Sequence, residues 1–311
     1  MCDKQKLMVV VPAFNEAMTI DNTINSLNSI KEELLQSNLE LNIIIIDDGS
    51  TDNTADIVAK YQSVHLVSHQ TNLGLGAAVR SGLIEARRHK ADIAVKFDAD
   101  CQHNPRDIKN LVLPIIENKA DVVYGNRFER ISYKMPLVRR VGNLVFIRLM
   151  RWLTRWDIKD SQPGIFAVNS KYLEVLYLPG DYNYTQQVLI NAYNTGMRFE
   201  QVPVDFNERT TGKSFVSFKY PIKVLPQILR VLVGIKPLTV FGNIGIYSIF
   251  FASAVFVYGL YCYFLGYSEK PVEHSNLVLG MGLFGIQSLF LGLIADLIIQ
   301  QNKQYERNTK R

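Results

Sequence analysis

IAVKFDADCQHNP, residues 93–105, is the stretch whose reading decides the fold. The run IAVKF reads as a short buried strand, and two carboxylates, Asp98 and Asp100, follow where that strand should end. Carboxylates alternating in this way are common on solvated surfaces, so the surrounding sequence has to decide whether these two mark a site.

Working outward, LMVVV (7–11), NIIIID (42–47), VHLVS (64–68) and ADVVYG (120–125) are four more apolar runs. They alternate with longer amphipathic segments: EAMTIDNTINSLNSIKEELLQ (16–36), TADIVAKYQ (54–62), GAAVRSGLIEARRHK (76–90) and PRDIKNLVLPIIENK (105–119). Continuous Val/Ile runs between helical patterns predict a doubly wound α/β domain with a mostly parallel sheet covered on both faces. Such sheets bind ligands outside the carboxyl ends of their strands. PAFNE (12–16), DDGSTDNT (47–54), NLGLGAA (72–78) and DADCQ (98–102) each follow a strand, so all four polar clusters are expected along one edge, as one binding site.

The 311 residues are 48% hydrophobic with a formal charge of +5, but both properties are local. No charged residue occurs from Pro237 to Ser268, or from Ser275 to Ala295. Each run exceeds the roughly 20 residues that cross a bilayer as a helix, which predicts transmembrane helices near 239–264 and 276–299. MCDKQK lacks a signal-peptide core, so the first 210 residues are expected in the cytoplasm. The connecting loop GYSEKPVEHS has one Lys and the tail QQNKQYERNTKR four cations, which by the positive-inside rule places the tail in the cytoplasm as well. The expectation is a multi-pass protein of the cytoplasmic membrane with both ends inside. From Arg127 to Lys159 nine Lys or Arg face two acids, a bias that suits phosphate groups or an anionic lipid surface. No nucleic-acid partner is expected.

Two basic amphipathic segments, PLVRRVGNLVFIRLMRWLTRW (136–156) and SFKYPIKVLPQILRVLVGIK (217–236), read as helices in the plane of the membrane interface. In the first, Val141, Val145, Leu149, Trp152 and Trp156 form the apolar side and Arg148, Arg151 and Arg155 another. Two ordinary core helices with solvated arginine faces are the alternative. Cys2, Cys101 and Cys262 are too few and too scattered for a disulfide framework or a zinc site. Cys101 is read as a small packing residue and His103 as a loop histidine.

Charge makes the case for a metal. A diphosphate beside Asp98 and Asp100 would be repelled unless a dication lay between them, and Mg²⁺ or Mn²⁺ prefers carboxylate, amide and phosphate oxygens. Gln102 is placed to add an amide oxygen.

PAFNE, IIIIDDGSTDNT, NLGLGAAVRSG, DADCQHNP, GNRF (125–128) and ERTTGKS (208–214), in that order, resemble the inverting family-two glycosyltransferases of the polyprenyl-phosphate group, which includes dolichyl-phosphate mannose synthase. The resemblance spans most of residues 7–214. GIQSLFLGLIADLI (285–298) is similar to the last span of bactoprenol glucosyltransferases.

The resemblance implies a GT-A fold and transfer of a sugar from a nucleotide diphosphate to a polyprenyl phosphate. It implies that Pro12, Phe14, Glu16, Ile45 and Asp47 hold the nucleoside and that Asp98, Ala99 and Asp100 border the diphosphate. Asp100 and Gln102, helped by Asp98, would bind the metal. Arg127 and Arg209 would reach donor and acceptor phosphates, with Arg139 or Arg140 aiding the acceptor. Phe215 stands where the synthases have a Lys, so Lys213 is expected to supply that cation. Asp100, Arg127, Arg209 and Lys213 are thus the expected catalytic set. Pro163 replaces a common Ser in DSQPG (160–164), which removes a hydroxyl that could contact the acceptor; DDGSTDNT lacks the SPDGT ending of the mannose synthases, and that departure favours a UDP-sugar over GDP-mannose. Bland readings stand beside these: Pro12 and Gly49 shaping turns, Asp47 or Asp48 capping a helix near Thr51, and Gly74 and Gly76 allowing a tight turn.

The expected organisation is a cytoplasmic GT-A domain over 1–214, amphipathic interface helices over 215–237, a transmembrane hairpin over 238–300 and a basic tail over 301–311. A processive polysaccharide synthase shares these motifs, but RLMRW and WLTRW lack the Gln of its Q-x-x-R-W motif, and two spans cannot enclose a polymer. A membrane-anchored nucleotide-binding scaffold is the non-enzymatic alternative. Gly280, Gly282 and Gly285 would suit a homo-oligomer contact in the second span.

Overall fold

The computed structural model describes residues 4–129, 137–178, 184–206, 233–234, 236–272 and 274–309. Arg209, Lys213, Phe215 and nearly all of the second amphipathic segment lie outside these residues. The chain divides into two compact units, Met1–Val216 and Ser217–Arg311.

The first unit is built on strands β1 (Gln5–Ala13), β2 (Leu39–Asp47), β3 (Val64–Ser68), β4 (Ile93–Lys96), β5 (Val122–Asn126), β6 (Phe166–Asn169) and β7 (Phe199–Pro203). They form one sheet in the order β3-β2-β1-β4-β6-β5-β7. The expected parallel half is present: β1 pairs in parallel with β2 and β4, and β2 with β3. The other half is mixed, because β6 runs antiparallel between β4 and β5, while β7 is parallel to β5. β6 has four residues and β7 five, too short for either to show a pattern in the sequence.

The antiparallel strand has a structural consequence. Phe166, the first residue of β6, is in register with Lys96, the last of β4. The loop that enters β6, residues 160–165, therefore lies at the same edge as the carboxyl ends of β1, β2 and β4.

Helices cover both faces. Leu7, Val9 and Val11 of β1, Ile43 and Ile45 of β2 and Val95 of β4 pack with Ile20, Ile24 and Leu27 of α1 (Ile20–Ser29) and with Ile108, Leu111 and Val112 of α5 (Asp107–Ile116). α4 (Leu75–Arg88) lies on the other face, so close at Gly82 that a Cβ there would fall 2.0 Å from Val10 Cγ1. The amphipathic segment 16–36 forms two helices, α1 and α2 (Lys31–Gln36), meeting at Ile30. Ser26 and Ser29 donate to the carbonyls of Thr23 and Ser26, a back-bonding that loosens helix ends. α3 is Thr54–Val58, so neither Asp47 nor Asp48 caps a helix near Thr51.

α6 (Leu137–Thr154) is the first amphipathic segment. Phe146, Ile147, Met150 and Leu153 are buried, whereas Trp152 and Leu144 are half exposed beside Arg148 and Arg151. Trp156 stacks on Phe199 with ring centroids 4.9 Å apart. Apolar residues surround this helix almost completely between its arginines, so periodicity alone does not select the buried side.

Asp121 locks the mixed half together. Its carboxylate accepts from Arg198 N at 2.9 Å, Arg198 Nε and Nη2 at 3.0 Å each, and Asn169 Nδ2 at 2.8 Å. It thereby joins the starts of β5 and β7 to the end of β6. The bonds from Arg198 outweigh burial and hold the Asp121 carboxyl down at about 2.

In the second unit, helices Pro237–Phe264 and Ser275–Thr309 pack as an antiparallel pair. Spans of 28 residues in each, Pro237–Phe264 and Ser275–Asn302, are apolar enough to cross a membrane and, at 1.5 Å per residue, about 42 Å long. The pair closes on small residues: a Cβ on Gly245 would lie 2.6 Å from the Gly285 carbonyl. Ser248 and Ser288 donate across the pair to the carbonyls of Met281 and Phe241, both at 2.9 Å. Gly285 therefore serves the pair itself, while Gly280 and Gly282 face open space.

Asp121→Asn should lower stability by about 1–3 kcal/mol at pH 7. A folded-state carboxyl held below its ordinary value contributes stability above pH 4 that is lost as the pH falls toward 2. The gap between wild type and variant, read from thermal unfolding of the full chain, should therefore narrow on acidification below pH 4.

Candidate active site

Each polar cluster found in the sequence leaves its strand at the same edge. The clusters are joined to one another by short bonds. Asp48 N donates to Ala13 O at 2.8 Å and His69 N to Asp47 O at 2.8 Å, carrying β1, β2 and β3 past the sheet in register. Asn15, in the left-handed region at φ 55°, accepts from Thr51 N at 2.8 Å, and Asn15 N donates to Ser50 Oγ at 2.9 Å. PAFNE and DDGSTDNT are thereby laced together.

Asp47 Oδ1 accepts from Ser50 N at 3.1 Å and closes its own turn. Asp48 is the anchor of the NLGLG loop: its carboxylate accepts from Leu73 N at 3.0 Å and Gly74 N at 2.7 Å, and meets His69 Nδ1 at 2.7 Å. His69 Nε2 in turn reaches Ser81 Oγ on α4 at 2.9 Å. Pro12 is buried at the end of β1 and Phe14 is 42% exposed. Glu16 Oε2 accepts from Thr19 Oγ1 at 2.7 Å. Ile45 is wholly buried in the core, so its side chain is closed off from a ligand at the edge.

DADCQ lies beside α1. Ala99 is buried, and its carbonyl accepts from Thr23 Oγ1 at 3.0 Å. Cys101, read from the sequence as a packing residue, is instead exposed and in the left-handed region at φ 56°, which turns the chain sharply after Asp100. Its thiol contacts Thr23 Oγ1 at 3.4 Å. Asp98, Asp100 and Gln102 are half-buried, and Gln102 N donates to Asp100 Oδ1 at 3.2 Å. Their side chains offer carboxylate and amide oxygens only, the donor chemistry of a hard divalent ion.

Sequence reasoning gave Lys96 no role, yet it is the centre of this rim. Its side chain is 1% exposed; the ammonium donates to Asp98 Oδ1 and, at 2.7 Å, to the carbonyl of Gly164. Burial alone would drive this amine toward neutrality, but the charge of Asp98, with help from Tyr184, holds its pKa above the ordinary lysine range. The signal was present in the sequence as a lysine inside an otherwise apolar strand.

Arg127, from GNRF, is fixed from the other side. Its Nε and Nη2 donate to Asp160 at 2.8 and 3.2 Å, Nη2 also donates to the Gln162 carbonyl, and the guanidinium lies 5.2 Å from the Phe206 ring centre. Asp160 is fully buried. Loop 160–164 is thus held to DAD by Lys96 and to GNRF by Arg127, so the two motifs meet through it. The expectation that Arg127 reaches phosphates has to accommodate this second commitment. Arg139 and Arg140 lie on the first turn of α6; their side chains, like Arg209 and Lys213, are outside the described residues.

His103 belongs to a loop, as expected, but is buried, with its ring 6.0 Å from that of Phe97 and 5.0 Å from that of Phe206. Nε2 lies 3.8 Å from Asp98 Oδ2, and among the described residues neither ring nitrogen has a hydrogen-bond partner. Burial lowers its pKa to about 4, against the pull of Asp98 and with the help of Lys96 and Arg127. The ring is therefore neutral at physiological pH.

Asp98→Asn would leave the Lys96 ammonium buried without its carboxylate and should cost roughly 3 kcal/mol. Lys96→Met leaves Asp98, whose side chain is 24% exposed, within reach of water, and should cost less, about 1–2 kcal/mol. Chemical denaturation of the two variants in parallel checks the order.

Comparison with known proteins agrees with this geometry. The family model of glycosyl transferase family 2 matches residues 8–176. The UDP-N-acetylglucosamine–dolichyl-phosphate N-acetylglucosaminyltransferase of Methanococcus voltae is 33% identical over 225 residues, 66% of this chain and 86% of that protein. The dolichol-phosphate mannosyltransferase of Pyrococcus furiosus is 27% identical over 237 residues, 73% of this chain and 64% of that one. Among solved structures, glucosyl-3-phosphoglycerate synthase from Mycobacterium tuberculosis, in complex with Mn²⁺ and UDP-glucose, shares the fold. Its TM-score is 0.53 at 21% identity, covering 74% of this chain and 77% of that one. With a GT-A-like sheet, its motifs gathered at one edge and a family match over more than half its length, this chain is a member of glycosyl transferase family 2.

Proposed function

We propose that this glycosyltransferase moves a sugar from a nucleoside-diphosphate sugar, a UDP-sugar in preference to GDP-mannose, onto a polyprenyl phosphate such as undecaprenyl or dolichyl phosphate. The observation that carries the reading is the rim itself: Asp98, Asp100 and Gln102 stand beside a loop, 160–164, that Lys96 and Arg127 tie to them. The Methanococcus relative supports a UDP-linked donor and a lipid phosphate acceptor. The two long apolar helices support an acceptor that stays in a bilayer.

Asp100, with Gln102 and a part-neutralised Asp98, would hold Mg²⁺ or Mn²⁺. When bound, that ion would offset charge on the departing diphosphate. The remaining chemistry needs no general base. A phosphate monoester has its second pKa at roughly 6, so the acceptor oxygen is already a nucleophile near neutral pH. Its lone pair forms the new bond to the anomeric carbon as the bond to the diphosphate oxygen breaks. The electron pair leaves with the nucleoside diphosphate, and the sugar carbon inverts.

The protein's task is to bring two anions together. Arg209, Lys213 and Arg139 or Arg140 are the proposed cations for the acceptor phosphate, through charge-assisted bonds. Arg127, its charge countered by the buried Asp160, would act by ordering loop 160–164 beside the rim. Pro12, Phe14, Glu16 and Asp47 would border the nucleoside. In this reading residues 1–214 form the catalytic domain on the cytoplasmic side. The basic segments and the helix pair hold it where lipid phosphates lie, at high effective concentration.

Purified chain, supplied with Mg²⁺ or Mn²⁺, polyprenyl phosphate and a panel of radiolabelled sugar nucleotides, should release nucleoside diphosphate with one donor and place label in the lipid. Label in a water-soluble product with no need for lipid would overturn the acceptor. Asp100→Ala should reduce transfer at least about a hundred-fold, and Lys213→Ala should also impair it; full activity in the second would remove Lys213 from the set.

A further inference from the structure

β3 is the edge strand of the sheet, and imidazoles line the seam between its chain and α4. His65 pairs in register with Ile44 and His69 with the rim beyond Asp47, so both rings lie near the row Ser81, Glu85, His89, which recurs every four residues along α4 and its end. The upper part of this seam is closed by hydrogen bonds from His69 to Asp48 and Ser81. The lower part is different. His65, Glu85 and His89 bring their ligand atoms within 4.8 Å of one another. The two imidazoles meet edge to face at 5.0 Å, and among the described residues neither has a side-chain hydrogen bond.

We propose that His65, Glu85 and His89 form a transition-metal site, taking Zn²⁺ or an ion of similar softness, that pins the edge strand to α4. Two imidazoles and one carboxylate are a three-ligand set that a water completes to four. Tetrahedral bonds of 2.0–2.1 Å put ligand atoms roughly 3.3 Å apart, so exposed His65 and His89 need only small rotations to close on an ion. Glu85 is already arranged for one-oxygen ligation. Its Oε1 accepts from Arg88 Nη1 at 2.5 Å, while Oε2 is turned to His89 Nε2 at 4.0 Å. A partner on the non-ligating oxygen is the usual support of a metal-bound carboxylate. Lys6 Nζ donates to the His89 carbonyl at 2.9 Å and fixes the end of the helix beneath the ring.

The chemistry separates this site from the rim. Imidazole ligands favour Zn²⁺, Ni²⁺ or Cu²⁺, whereas the oxygens of Asp98, Asp100 and Gln102 favour Mg²⁺ or Mn²⁺. The inference does not depend on the proposed reaction.

The test uses the tag-free full chain in detergent, stripped with a chelator and titrated with Zn²⁺ alone, with Co²⁺ as a spectroscopic substitute. The expected result is one equivalent of Zn²⁺ bound in excess Mg²⁺, a tetrahedral Co²⁺ spectrum, and a higher midpoint of thermal unfolding with Zn²⁺. His65→Ala and His89→Ala should each weaken that binding at least ten-fold while leaving the metal-free midpoint unchanged. Asp100→Ala should bind Zn²⁺ as wild type does. Equal Zn²⁺ affinity in the histidine variants, or loss of binding in Asp100→Ala, would overturn the site. An octahedral Co²⁺ spectrum would overturn the ligand set.

Discussion

A buried ammonium governs the catalytic edge of this protein. Lys96 is enclosed at the end of β4, where a lone charge could not remain, and is stable there because Asp98 and the Gly164 carbonyl both accept from it. One cation thereby fixes the first acid of the DAD motif and the loop entering β6. Arg127 completes the frame by binding Asp160 and the Gln162 carbonyl in that same loop. Asp98 therefore meets any bound cation as a carboxylate already shared with an ammonium.

The mixed sheet makes this frame possible. Had β4 and β5 been adjacent in a purely parallel sheet, the 160–164 loop would not enter between them at the carboxyl edge. Inserting antiparallel β6 between them delivers that loop to the ligand side, and the Asp121–Arg198–Asn169 cluster secures the arrangement at the opposite ends of the strands. The second unit solves a separate problem. Gly245 against Gly285 and the hydroxyls of Ser248 and Ser288 hold two long helices together without burying charge.

Much of this was legible in the sequence. The strands β1 to β5, the shared edge of PAFNE, DDGSTDNT, NLGLG and DAD, and the two apolar helices all follow from runs whose period and length are unambiguous. β6 and β7 were not legible, because a strand of four or five residues without alternation has no periodic signature. The side of α6 that packs into the first unit was not legible either, since Phe146, Ile147 and Met150 are no more apolar than Val145 and Leu149 beside them. The fine structure of the site was hidden for another reason: Lys96 with Gly164, Arg127 with Asp160 and Asp48 with Gly74 join residues 26 to 68 positions apart, and only the folded chain brings them together.

In the proposed reaction Asp100 holds a divalent cation against a nucleoside diphosphate at this edge. Mn²⁺ titration followed by electron paramagnetic resonance, with and without UDP, tests it most directly. UDP should tighten Mn²⁺ binding to the wild type, and Asp100→Asn should lose both the binding and the effect of UDP. Mn²⁺ binding that is indifferent to UDP, or unchanged by Asp100→Asn, would contradict the account.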